Sequence, residues 1–165
     1  MRRGSWDKLV KVWSVASKSL VSTCVGHTST VFAVAAMPDG QRILGGSYKE
    51  VRVWLLDGTL ENTFELHNHY VMALVALPDN QHALSGSDDN TVKLFNVNDG
   101  AVLRTFKHHT DMVLCLALLP DGLRFVSGSK DKTARIIEIG RLPTSSGRCS
   151  PRRPAPIMVD RAIGL

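Results

Sequence analysis

Three seven-residue runs are apolar at every position: Val31–Met37, Val71–Leu77 and Val113–Leu119. Side chains alternate across a strand, so a run apolar on both faces predicts a strand covered on both sides. Each run closes on a turn, Pro38-Asp39-Gly40, Pro78-Asp79-Asn80 or Pro120-Asp121-Gly122. A short second strand follows and ends in small residues such as Ser85-Gly86-Ser87. A tight turn then leads to an alternating third strand, Val51-Arg52-Val53-Trp54 or Thr91-Val92-Lys93-Leu94-Phe95, half-buried by its period of two. Asp57-Gly58 and Asp99-Gly100 turn the chain into a fourth strand, Thr59–Phe64 and Ala101–Phe106. No stretch keeps a helical period for the length of a helix.

The pattern repeats. The three prolines lie 40 and 42 residues apart, and a histidine (His27, His67, His109) stands eleven residues before each. Gly-Ser pairs follow at Gly46-Ser47, Gly86-Ser87 and Gly128-Ser129, with a further one at Gly4-Ser5. Several independent landmarks holding one period make the chain an array of four-stranded units, whose innermost strands are buried as in blades around an axis.

Composition changes this picture little. Of 165 residues, 44% are hydrophobic and 21% charged, which is ordinary for a globular protein and wrong for a disordered one. The net charge of +5 invites a nucleic-acid reading, but five arginines against one acid fall in residues 141–165. Residues 1–140 carry fifteen bases and fourteen acids, so basicity belongs to a tail. No secretory signal follows Met1, and no apolar run approaches a membrane span. Cys24, Cys115 and Cys149 lack paired spacing, which points to a reducing compartment, cytoplasmic or nuclear, with two buried thiols and one in the tail.

Gly26-His27, the Pro-Asp-Gly turns, Ser127-Gly128-Ser129-Lys130-Asp131-Lys132-Thr133 and the closing Trp13 and Trp54 resemble WD repeats of a β-propeller over residues 4–139. The resemblance implies an all-β fold, a partial propeller of two full four-stranded blades and two incomplete ones. It also implies a hydrogen-bonded network inside each blade, His67 with Ser85 and Asp89, and His109 with Ser127 and Asp131, the serine bridging toward the third strand. Departures from the family pattern are local. Phe95 and Ile137 replace the terminal tryptophan, and Leu66 and His108 replace the glycine before the histidine. Gly45 and a turn one residue short, Ser47–Val51, leave His27 without its two partners, so packing is expected to hold that blade.

Function is expected in the loops at one end. Trp6, Tyr48, Asp88 and Lys130 precede the aspartate position, and Thr30, Tyr70 and Met112 precede the first strand. Aromatics and methionine on such loops are anchors for a protein partner, although Trp6 and Tyr48 also suit packing against neighbouring blades. The expected function is a non-catalytic protein–protein interaction scaffold. Relatives of this kind serve as adaptors in the ubiquitin pathway or in RNA-processing complexes, and no residue selects between these. A Ser-His-Asp hydrolase is weighed against by the duplication of the constellation and by the absence of a G-x-S-x-G elbow. His69 and His108 lack metal-ligand spacing and read as solvated loop, and no glycine loop suggests a nucleotide. No cofactor is implied. Nucleic acid through the arginine-rich tail is the weaker reading.

Counting gives thirteen strands, too few for a usual ring of about four to eight blades. From residue 140 the chain turns rich in Pro, Arg and Ser, and 140–165 reads as a disordered tail after a propeller segment of 1–139. The first reading of the open ring is a fragment of a longer propeller. Self-association through open edges and completion by another protein are the alternatives.

Overall fold

The structure, a computed structural model, describes residues 5–142. Its order is β1 (Val10–Ser14), β2 (Ser19–Cys24), β3 (Ala33–Ala36), β4 (Arg42–Gly46), β5 (Tyr48–Leu55), β6 (Leu60–Ala76), β7 (His82–Ser87), β8 (Val92–Asn96), β9 (Val102–Phe106), β10 (Val113–Leu118), β11 (Arg124–Ser129) and β12 (Ala134–Glu138). All pairings between them are antiparallel. The fold is all-β, a partial propeller. Blade one contributes β1 and β2, and blade four contributes β10, β11 and β12.

The middle two blades depart from the expected separation. They share β6, whose first half is the outer strand of blade two and whose second half is the inner strand of blade three, so twelve strands fill thirteen blade positions. The cause is the short turn of blade two. It lets β5 begin at Tyr48, which pairs with Tyr70, while Glu50 pairs with Glu65 and residues 66–69 bulge between.

Three apolar clusters lie between successive blades. Val10, Cys24, Val31, Ile43 and Trp54 join blades one and two. Leu44, Val51, Val53, Val71, Leu74, Ala83 and Phe95 join two and three, and Leu84, Val92, Leu94, Val113, Phe125 and Ile139 join three and four. Consecutive residues of one strand thus serve opposite interfaces, Ala83 one and Leu84 the other.

The Gly-Ser landmark acquires a physical reason here. A Cβ on Gly46 would lie 2.7 Å from Val71 Cγ1, and one on Gly86 would lie 2.8 Å from Val113 Cγ1. Glycine therefore lets the next blade's inner strand approach. The serine hydroxyls then tie down the chain entering the inner strand: Ser47 donates to Thr30 O, Ser87 to Tyr70 O and Ser129 to Asp111 O, at 2.9–3.0 Å.

Burial of the inner strands on both faces holds only where blades stand on both sides. In blade three no residue of the inner strand, 71–76 of β6, is exposed, and β7 beside it is buried throughout. In blade two Phe32 and Val34 are exposed, and in blade four Cys115 and Ala117 are exposed, because no strands among the described residues cover those faces. Cys115 is accordingly not the buried thiol expected, whereas Cys24 is. Trp13 is exposed for the same reason, and Trp54 is fully buried. Leu142, placed by the sequence in the tail, packs on the cluster between blades three and four. Cys149 and the rest of the tail from residue 143 lie outside the described residues.

Candidate interaction face

Antiparallel ladders place two kinds of connection at one end of every blade: the turn from second to third strand, and the crossover into the next blade. The Pro-Asp turns and Asp57-Gly58 and Asp99-Gly100 lie at the other end. The end carrying the histidines is called the upper rim here.

Two blades carry the same network. The His67 ring is buried, with Nδ1 2.8 Å from Asp89 Oδ2 and Nε2 2.7 Å from Ser85 Oγ. A neutral ring donates from Nδ1 to the carboxylate and accepts the serine proton at Nε2. Asp89 also accepts from Asn68 N, Thr91 N and the Thr91 hydroxyl. In blade four the distances recur, His109 to Asp131 at 2.8 Å and to Ser127 at 2.8 Å. Burial alone would raise the Asp89 carboxyl, but the hydrogen bonds of His67 and Thr91 hold it well below the carboxylate range. For Asp131 the Thr133 hydroxyl is the main cause in the same direction, with His109 adding to it against burial. Toward the third strand, Ser85 Oγ lies 3.5 Å from Lys93 O, a longer contact than the one to His67. The order Ser–His–Asp is that of a hydrolase, yet Ser85 and Ser127 have no exposed surface for a substrate to reach.

Blade two corrects an expectation. His27 has a partner, Glu50 Oε1, 2.8 Å from Nδ1. Glutamate is one methylene longer than aspartate, and that reach offsets the missing turn residue. Arg52 Nε donates to the same Oε1 at 2.9 Å, and its Nη2 donates to Oε2 at 3.2 Å. Nε2 has no hydrogen-bond partner, because Gly45 stands where the other blades have serine. A serine would not fit, since a Cβ there would lie 2.8 Å from Trp54 Cζ3. Burial pushes the His27 ring pKa down, with Glu50 opposing. Trp54 Nε1 donates to Val25 O at 3.1 Å.

Of the seven rim residues singled out, three come together. Tyr48 and Tyr70 meet edge to face at 5.0 Å, and Asp88 N donates to Tyr70 O at 2.9 Å. Asp88 also pairs with His69, whose ring lies 5.0 Å from Tyr70 and 5.9 Å from Tyr48. Phe32 completes the group, 5.1 Å from Tyr70. Tyr70 is thus the hub, while Tyr48 at 43% and Phe32 at 39% exposed offer surface to a partner. Packing and exposure coexist at Tyr48. Thr30 contributes its carbonyl to Ser47. Met112 and Lys130 form a separate pair in blade four, joined by Lys130 N to Met112 O at 2.9 Å. Trp6, 86% exposed, stands apart in blade one.

Sequence reasoning missed Phe32, which lies inside an apolar run, and His69, which belongs to the rim cluster and not to free loop. His69 precedes Tyr70, and that adjacency was the available signal. Among the described residues no group of three or more His, Cys, Asp or Glu is placed to hold a metal, and no helix is long and apolar enough to cross a membrane.

Similarity to known proteins follows the same rhythm. The family described as WD domain, G-beta repeat matches residues 18–54, 58–96 and 100–138. The small ribosomal subunit protein RACK1 of Neurospora crassa is 46% identical over 41 residues, 25% of this chain and 13% of that protein. MST50-interacting protein 11 of Pyricularia oryzae is 44% identical over 41 residues, with the same shares. The crystal structure of the WD40 β-propeller domain of Doa1 superposes with a TM-score of 0.75 at 35% identity, covering 82% of this chain and 45% of that one. The chain therefore spans less than half of the solved propeller and a small part of either curated relative.

Proposed function

This chain belongs to the WD-repeat family, whose propellers generally bind other proteins without chemistry of their own, and we propose that it is an interaction scaffold whose partner seats on the upper rim over Tyr48, Tyr70 and Phe32. The observation that carries this reading is the Tyr70-centred aromatic group, part exposed where β5 and β6 reach the rim, with rings packed edge to face on one another. Rigid aromatics bury large area at low entropic cost, which suits an interface centre. The buried serines support a structural role for both His-Ser-Asp sets. Two relatives are named for assemblies, a small ribosomal subunit protein and an MST50-interacting protein, in keeping with a place inside a protein complex. Adaptor duty in the ubiquitin pathway or in RNA processing is a finer form of the same reading.

The test is a comparative capture. The immobilised chain, its Tyr48→Ala/Tyr70→Ala form and a Leu123→Ser control at the opposite end are exposed to the same extract at equal folded concentration. Bound proteins are quantified by mass spectrometry. A set of proteins held by the wild type and the control and absent from the tyrosine variant is expected. Identical capture by all three overturns the rim assignment.

A further inference from the structure

Among the turns of the upper rim the uncommitted charges have one sign. The carboxylates of these turns are engaged, Asp7 by Ser5 and Lys11, Glu50 by His27 and Arg52, and Asp88 by His69; Glu65, exposed on the outer strand of blade two opposite Glu50, stands outside them. Asp89 and Asp131 are filled by their networks, and Asp111 accepts from Met112 N with Lys130 Nζ 4.0 Å away. Three other lysines of these turns are the reverse. Lys8 and Lys132 are exposed and have no side-chain partner among the described residues, and Lys49 Nζ lies 5.2 Å over the ring of Tyr48.

Their backbone adds an independent observation. Lys8, Lys49, Asn90 and Lys132 occupy the same place in four successive turns, each with φ between 63° and 69°. Left-handed backbone favours glycine and asparagine and disfavours a long side chain. Asn90 in blade three shows the relaxed choice, its side chain donating to Thr110 O at 3.4 Å. Of six non-glycine residues with positive φ among the described residues, four are lysines, and three of those four stand on this rim. Strain retained at an exposed position points to a use for the side chain placed there.

We infer that the rim partner is an acidic protein segment carrying an apolar or aromatic anchor, the anchor seated against Tyr70 and Tyr48 and its flanking carboxylates meeting Lys49, Lys8 and Lys132. This rests on the rim reading above. Lys49 sets the sign at the centre, since a partner's cation would have to displace it from the Tyr48 ring, whereas a carboxylate completes it. Nucleic acid is the less suited polyanion. Residues 5–142 hold fourteen Lys and Arg against fourteen Asp and Glu, a net charge of zero, and the rings meet edge to face and offer no parallel stacking platform.

The experiment measures fluorescence anisotropy of the full chain with labelled synthetic peptides: a central phenylalanine flanked by glutamates, the same peptide with glutamines, and one with lysines. An oligothymidine is the fourth probe. The acidic peptide is expected to bind, and to weaken on adding roughly 0.5 M salt. The glutamine peptide binds about tenfold more weakly, and Lys8→Glu/Lys49→Glu/Lys132→Glu weakens the acidic peptide about tenfold or more, as three rim pairs together should. Lys→Arg at the same three positions retains binding, and thermal unfolding reports the folded fraction of every variant. No binding of the acidic peptide, unchanged affinity in the glutamate variant, equal binding of the lysine peptide, or tighter binding of oligothymidine each overturns the inference. Tyr48→Ala/Tyr70→Ala separates the two levels. Peptide lost there but kept by the glutamate variant leaves the rim standing and removes its acidic partner, and peptide kept by the tyrosine variant removes the rim reading itself.

Discussion

His27 and His67 occupy the same place in successive blades and meet different chemistry. His67 has a carboxylate on one nitrogen and a hydroxyl on the other, whereas His27 has only Glu50 and leaves Nε2 unpaired. Burial lowers the pKa of His27 in the folded state. The folded form then binds fewer protons than the unfolded one, so stability is full above the unfolded value and falls as pH drops through it. From about pH 7 to about pH 5 the urea midpoint of the wild type is expected to decline more steeply than that of His27→Gln, which keeps a donor for Glu50 and cannot titrate. Equal slopes would show that the unpaired ring has no energetic consequence. Little of this was legible in the sequence. The lost serine and aspartate of blade two were visible, but the rescue by Glu50 depends on a side-chain reach that only the folded turn reveals.

At the scale of the element, the Gly-Ser pair explains how the repeat is locked. Glycine admits the next inner strand and serine anchors the chain that enters it. Gly86→Ala is expected to cost roughly 1–3 kcal/mol by overpacking against Val113. The double variant Gly86→Ala/Val113→Ala should lose less than the sum of its parts, because the second change removes the obstacle to the first. Equilibrium denaturation of the three variants gives the coupling, and strict additivity would contradict the contact. The four-strand unit itself was readable from the period, the turns and the alternating third strands. The fusion of two outer and inner strands into β6 was not, since it arises where a shortened turn brings Tyr48 beside Tyr70.

For the whole molecule, the balance between covered and open faces decides behaviour. Val34 at 59% and Ile136 at 64% exposed lie on opposite flanks of the arc, the latter on β12, whose outer edge is unpaired among the described residues. Open strand edges and apolar faces promote association between chains. The 165-residue chain alone is expected to self-associate in light scattering, and Val34→Lys/Ile136→Lys to reduce that association without lowering the unfolding temperature. A monomer at all accessible concentrations would remove this expectation. Completion by further blades and pairing between copies bury the same two flanks.

Periodicity needs no coordinates, because hydrophobic alternation, turn chemistry and recurring small residues are local properties of a chain. They determined the all-β class and the forty-residue unit, while the resemblance to WD repeats supplied the two His-Ser-Asp sets and the end of the blades where function is expected. Tertiary structure decided what distance decides: that Tyr70 is the centre of an aromatic group with Phe32, Tyr48 and His69, that Glu50 serves His27, and that the inner strands are covered on both faces only in the third blade. Those outcomes depend on which residues from different repeats come within a few ångströms, and a linear pattern carries no information on that until the blades are packed.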